Sequence, residues 1–175
     1  MESQSRRLTL AEIAAKRAEE DIDEVYPRVY MSGHSSAKHL QVLQSRNITH
    51  VVCVTAYARP HWEKEGIKYL IIEDVEDSNY ADIAQHFEQT NQFISSALAS
   101  AATNSVLVHC SAGVSRSGSI CMAYMLSSQK WPSFETAFEH ARSRRSKFYP
   151  NSHFQDQLKA YASSIESIED VAAEK

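Results

Sequence analysis

Ser105-Val106-Leu107-Val108-His109-Cys110-Ser111-Ala112-Gly113-Val114-Ser115-Arg116-Ser117-Gly118-Ser119-Ile120 is the stretch that decides the fold. Its β-prone opening leads into a His-Cys pair, five small or slim residues follow, and Arg-Ser-Gly then introduces an apolar run from Ile120 to Leu126. The pattern reads as buried strand, tight loop and buried helix. A turn of small residues entering a helix N-terminus can aim successive backbone N–H groups at one point and form a concave anion site. The same field favours the thiolate of Cys110 at its mouth. Arg116 adds a planar fork of donors suited to two oxygens of a tetrahedral dianion. A thiolate, an amide nest and an arginine within seven residues describe nucleophilic attack on a phosphate. An inert buried thiol would leave the arginine and the small-residue loop without a purpose.

The rest of the chain supplies strands and helices in alternation. Residues 1–8 read as disordered. Thr9-Leu10-Ala11-Glu12 is a capping box opening a short helix to about Glu20, with Leu10, Ile13, Ala14 and Arg17 on one face. Val25 to Met31 is strand-like, with Pro27 at its edge or start. Ser35 or Ser36 caps a helix through Arg46, with Ala37, Leu40 and Leu43 inward and Asn47 as a left-handed stop. Ile48 to Thr55 and Lys68 to Ile72 are β-rich runs fit for a covered sheet. Ile83, Phe87, Ile94 and Leu98 recur at helical spacing and predict a helix over Ala81 to Ala101. Ser133 caps a further helix with Phe134, Ala137, Phe138 and Ala141 as its inner stripe. A last helix runs from Asn151 to about Ser164, and Glu166 to Lys175 is an acidic tail. The expected architecture is α/β: a central, mostly parallel sheet of about four to five strands with helices on both faces.

A chain of 175 residues suits one domain with a real core. A net charge of -4 argues against a general nucleic-acid binder. Three cysteines (Cys53, Cys110, Cys121) without a CxxC spacing indicate neither a disulfide framework nor a zinc site. The histidines are scattered without metal-ligand spacing, so no metal and no cofactor are expected. Met1 to Arg7 is polar, no secretory apolar core follows it, and no stretch reaches the length of a membrane span. A reactive thiolate needs a reducing compartment, so the expected location is cytoplasm or nucleus.

His109-Cys110-x5-Arg116-Ser117 resembles the signature of the cysteine-dependent protein phosphatases. The fuller string from His109 to Ser119 is similar to that of their dual-specificity branch. The likeness extends from about Glu24 to Tyr161 through Val25-Tyr26-Pro27-Arg28-Val29-Tyr30, Ile48-Thr49-His50-Val51-Val52 and Tyr149-Pro150-Asn151. It implies a phosphatase-like fold, with residues 24–165 as catalytic domain, 1–23 as an N-terminal extension and 166–175 as a tail.

In that reading Cys110 is the nucleophile and forms a cysteinyl-phosphate. Ser111, Ala112, Gly113, Val114, Ser115 and Arg116 bind the phosphate through backbone N–H groups and the guanidinium. His109 holds the loop by hydrogen bonds, and Ser117 donates to the sulfur when it leaves. A carboxylic acid must protonate the leaving oxygen, and the acidic run Glu73-Asp74-Val75-Glu76-Asp77 follows a strand where a flexible loop is expected. In the relatives the acid sits about five residues before the long helix, which favours Asp77 over Asp74 and leaves Asp82 as a cap. Arg142, Arg144, Arg145 and Lys147 form a basic cluster, read either as cations at a helix C-terminus or as contacts for acidic or phosphorylated substrate residues. Cys53 is either a small core residue or a resolving thiol for oxidised Cys110, and Cys121 belongs to the core.

The substrate implied is a phosphorylated protein, signalling kinases among the candidates, acted on by a monomer without nucleic acid or membrane. The short connection from Thr55 to Gly66 leaves little material for a high rim, so phosphoserine and phosphothreonine should enter beside phosphotyrosine. A phosphoinositide phosphatase would place lysines in the loop, an RNA 5′-triphosphatase would want a more basic surface, and a phosphoprotein-binding module would show little turnover.

Overall fold

The run from Ser105 to His109 forms the middle strand of a five-stranded sheet. The computed structural model describes residues 7–57, 59–128 and 130–173, with side chains up to residue 165; the first six residues and the chain's last two, parts of the expected disordered start and acidic tail, lie outside the described residues. The strands are β1 (Ile22–Tyr26), β2 (Val29–Ser32), β3 (Ile48–Val54), β4 (Lys68–Ile72) and β5 (Ser105–His109), in the order β1-β2-β5-β3-β4. β1 pairs antiparallel with β2, and every other pairing is parallel.

Alternation along the strands divides the core between the two faces of the sheet. Leu107 of β5 and Val51 of β3 join Ala18, Ala37, Val42 and Leu43 on the face covered by α1 (Leu10–Glu20), α2 (His34–Ala37) and α3 (Leu40–Gln44). Val106, Val108, Val52 and Val54 face the larger cluster. That cluster is built by α4 (Phe87–Ser100), α5 (Arg116–Ser127), α6 (Phe134–Arg144) and α7 (Ser152–Ala173). The observed fold is the α/β sandwich that the strand–helix alternation predicts, with α5 at its heart. Ile120, Cys121, Met122, Ala123, Met125 and Leu126 are all buried, as a helix that is apolar on every side requires. Gly118 lets α5 approach closely: a Cβ there would lie 3.3 Å from Phe148 and 3.4 Å from Met31.

Four expected elements differ. Val25 to Met31 is the end of β1, a turn and most of β2, because Arg28 is left-handed (φ 63°) and its N–H donates to Glu24 Oε1 at 2.8 Å. The helix expected through Arg46 is two short helices, broken where His39 is extended (φ -103°, ψ 98°); beside the break Trp62 Nε1 donates to the Ala37 carbonyl at 3.2 Å. The long helix before β5 begins at Phe87 rather than Ala81. Upstream of it, Gln157 Oε1 accepts the N–H groups of Ile83 and Ala84 at 3.0 and 2.9 Å, organising a turn and a 3₁₀ segment over Ala84–His86. The last helix continues to Ala173 rather than ending near Ser164. On α1 the capping box is present, but Leu10 is exposed and Ala18 is the residue that packs inward. Asn47 does adopt the left-handed stop (φ 52°).

Candidate active site

The loop between β5 and α5 is held from outside by its carbonyl oxygens. Ser111 C=O accepts from the His34 N–H at 3.0 Å, and Val114 C=O accepts from the Tyr149 N–H at 3.2 Å. Gly113 C=O accepts from Arg145 Nε at 3.0 Å. In a planar trans peptide the N–H of the next residue points opposite to the carbonyl. The amides of Ala112, Val114 and Ser115 therefore face away from these supports, toward the concave side. Gly113 is left-handed (φ 66°), and a Cβ there would stand 2.4 Å from Gly33 N and from the Ser32 carbonyl carbon. Only glycine fits where the loop lies against the end of β2.

Cys110 follows β5 directly and is buried, with its Sγ 3.2 Å from Ser117 Oγ on the first turn of α5. Arg116 reaches back across the loop, donating to Ser111 Oγ at 3.1 Å and to Val75 C=O at 3.4 Å. Its Nε is buried and has no protein partner, a donor left over for a bound anion. Ser115 stands at the N-cap of α5 but does not cap it with its side chain; its hydroxyl donates to Asp77 Oδ1 at 2.7 Å instead. The structure thus brings Asp77 to the loop. Asp74 turns elsewhere and pairs with His86 at 3.1 Å, while Asp82 caps the turn before α4 by accepting the Gln85 N–H at 3.3 Å.

His109 lies 3.4 Å from the Cys110 carbonyl through Nδ1 and stacks on His34 at 5.9 Å between ring centroids. Burial lowers its pKa to about 4, helped by His34 and His61 and opposed by the bond to the Cys110 carbonyl. Its ring is therefore uncharged near neutral pH. Cys53 sits beside His109 in the β3–β5 register, and burial, with Cys110 and Glu73 adding to it, pushes its thiol up to about 12. Burial raises the Cys121 thiol likewise.

The four cations of the basic cluster all have partners in the fold, Arg145 buried and Arg142, Arg144 and Lys147 exposed. Arg145 is buried and serves the loop: beside Gly113 C=O it grips Asp21 Oδ1 at 2.8 Å and Asp23 Oδ2 at 2.5 Å. Lys147 also pairs with Asp21, Arg144 pairs with Glu24 and donates to its carbonyl, and Arg142 lies over the Tyr149 ring. Asp21 Oδ2 accepts the Gly33 N–H at 3.1 Å. Burial acts to raise the Asp21 pKa, but the bonds and charges of Lys147 and Arg145 outweigh it and hold the carboxyl below its ordinary value.

Sequence reasoning missed Arg145, Asp21 and Asn151 as supports of the site. Asn151 Nδ2 donates to Asp77 Oδ1 at 2.8 Å. It also passed over Tyr57 and Tyr80, 88% and 95% exposed on the connections after β3 and β4. An arginine among other basic residues carries no local mark of burial; its two carboxylates lie more than a hundred residues upstream. Among the described residues no group of three or more His, Cys, Asp or Glu is placed to hold a metal ion, and no helix is long and apolar enough to cross a membrane.

A family model for the dual specificity phosphatase catalytic domain matches residues 29–164. MAP kinase phosphatase with leucine-rich repeats protein 3 of Dictyostelium discoideum is 37% identical over 142 residues, covering 81% of this chain and 16% of that protein. Dual specificity protein phosphatase 1B of Arabidopsis thaliana is 34% identical over 146 residues, covering 83% of this chain and 84% of that protein. The crystal structure of the human tyrosine phosphatase-like serine/threonine/tyrosine-interacting protein is similar at a TM-score of 0.75 and 30% identity, over 82% of this chain and 97% of that one. The chain spans only 16%, 19% and 34% of the length of three further-reaching curated relatives. The signature, the sheet order and these matches agree, and the chain belongs to the dual specificity phosphatase family.

Proposed function

We propose that this chain hydrolyses phosphate monoesters on phosphorylated proteins, taking phosphotyrosine and phosphoserine or phosphothreonine, through a cysteinyl-phosphate intermediate. The observation that carries the reading is the loop whose carbonyls are bonded outward around a buried Cys110, with Arg116 Nε unpartnered beside it. Preorganised donors of this kind stabilise the charge of a transferring phosphoryl group without reorganising during the reaction. Cys110 Sγ attacks phosphorus as the bond to the leaving oxygen breaks, and Asp77 delivers a proton to that oxygen. Water then attacks the cysteinyl-phosphate, Asp77 takes its proton, and the S–P bond breaks while Ser117 Oγ, 3.2 Å from the sulfur, donates to the departing thiolate. His109 and Arg145 hold the loop and transfer no proton.

A signalling kinase is one fitting phosphoprotein, and a thiolate nucleophile suits the reducing cytoplasm or nucleus. The family membership and the absence of lysine between Ser111 and Ser115 favour protein over phosphoinositide substrates. Turnover of p-nitrophenyl phosphate by the wild type, set against Cys110→Ser, tests the enzyme reading; a chain that binds phosphopeptides with no turnover would be a binding module instead. Matched peptides differing only at the phosphoresidue then test dual specificity, and activity confined to phosphotyrosine would overturn it.

A further inference from the structure

Asp77 is fastened rather than hanging free over the loop. Its Oδ1 accepts two hydrogen bonds, from Ser115 Oγ at 2.7 Å and from Asn151 Nδ2 at 2.8 Å. The assignments are mutually consistent. Asn151 Oδ1 accepts the Phe154 N–H at 2.9 Å, so the other end of the amide, which can only donate, faces Asp77. Ser115 Oγ accepts the Asn151 N–H at 3.0 Å, which leaves its single proton for Asp77. Asp77 Oδ2 has no protein partner among the described residues. The acid loop, the phosphate loop and the residue opening α7 therefore meet at one carboxylate oxygen, and the second oxygen is left to carry the transferable proton.

We propose that Asn151 is the positioning residue for Asp77, orienting its Oδ2 toward the leaving oxygen and stabilising the carboxylate that proton transfer creates. The inference rests on the reading of Asp77 as general acid. As the S–P bond forms and the P–O bond breaks, the Oδ2 proton passes to the leaving oxygen and negative charge appears on Asp77. Two donors already in place on Oδ1 strengthen as that charge develops, so they assist the transition state more than the ground state. Ser115 is part of the phosphate loop and Asn151 is not. Asn151 can therefore be altered without touching the groups that bind phosphate.

The competing explanation is that Asn151 only caps α7 through Oδ1. Asn151→Asp separates the two roles, since it keeps the cap acceptor for the Phe154 N–H and replaces the donor facing Asp77 by an oxygen. Asn151→Ala removes both. Rates are measured on phenyl phosphate, whose leaving group needs a proton, and on 2,4-dinitrophenyl phosphate, whose leaving group does not, with melting temperature as the stability control. Both variants should lose about tenfold or more in kcat on phenyl phosphate and little on the dinitrophenyl ester, and Asn151→Asp should melt near the wild type. Adding either change to Asp77→Ala should cost nothing further on phenyl phosphate, because the positioned group is already gone. Wild-type rates on phenyl phosphate for Asn151→Asp would reduce Asn151 to a cap. Equal losses on both substrates, or additive losses in the double variant, would equally overturn the inference. Should Asp77→Ala itself show no leaving-group dependence, the reading of Asp77 as acid fails first, and that result is distinct from the others. If Asn151→Ala fails to fold, the Asn151→Asp comparison decides alone.

Discussion

His109 offers a measurable link between the loop and the acid stability of the fold. The residue is 3% exposed and its pKa lies at about 4, first because burial disfavours the imidazolium and then because His34 and His61 add like charge. In the unfolded chain a histidine titrates near 6.5. The folded value is depressed, so the unfolded state binds more protons between those two values. Stability from this residue is complete above about pH 6.5 and falls as pH drops toward 4. Relative to pH 8, the loss is about 2 kcal/mol at pH 5 and about 3 kcal/mol at pH 4. His109→Asn keeps a donor near the position of Nδ1 but cannot titrate. Urea unfolding at pH 8, 6 and 5 should show the wild type losing about 2 kcal/mol more than the variant across that range. His34 and His61, also shifted down by burial, contribute to the slope that both proteins share. Parallel stability–pH lines for the two proteins would refute the reasoning, since they would mean that His109 protonates in the folded state without cost.

Cys110→Ser should abolish turnover while phosphate still binds, as read by competition of inorganic phosphate against a fluorescent phosphopeptide. Arg116→Lys should cost nearly as much in kcat/KM, because a point charge cannot replace a fork that spans Ser111 Oγ and Val75 C=O. Asp77→Ala should lower kcat by about 10²–10⁴-fold on poor leaving groups, and Asp74→Ala much less; the reverse ranking would move the acid to Asp74. Gly113→Ala should destabilise the fold by about 2 kcal/mol or more, since a left-handed residue would acquire a Cβ 2.4 Å from Gly33 N, with urea unfolding as the measure.

What the sequence discloses here is local. The Val106–Val108 strand, the small-residue loop and the all-apolar helix after Ile120 carry their structure in their own composition, and so does the left-handed Asn47. The spacing taken from relatives led to Asp77, and the carboxylate does meet Ser115. What composition does not disclose is a remote partner that outweighs a local preference. Gln157, far along the chain, unwinds the start of the expected long helix at Ile83 and Ala84. Trp62, from a later segment, donates to the Ala37 carbonyl where the expected helix divides in two. Arg145 looks like one more surface cation until the fold brings Asp21, Asp23 and Gly113 to it. Such choices are made by tertiary hydrogen bonds between segments distant in sequence, and no window of neighbouring residues contains them.

The bonds of Asp21 bear on where this protein can be cut. The segment that matches the family begins at residue 29, yet Asp21 and Asp23 lie before it and neutralise the guanidinium that carries Gly113. A fragment excised at residue 29 would also lose β1 and would leave Arg145 as a buried cation stripped of both carboxylates. Deleting one side of a buried pair costs about 3–5 kcal/mol, a large fraction of what holds a domain of this size together. A fragment starting at residue 29 should therefore unfold at a lower urea concentration than one that keeps Asp21 and Asp23, and an expression boundary set by family resemblance alone would give a less stable domain.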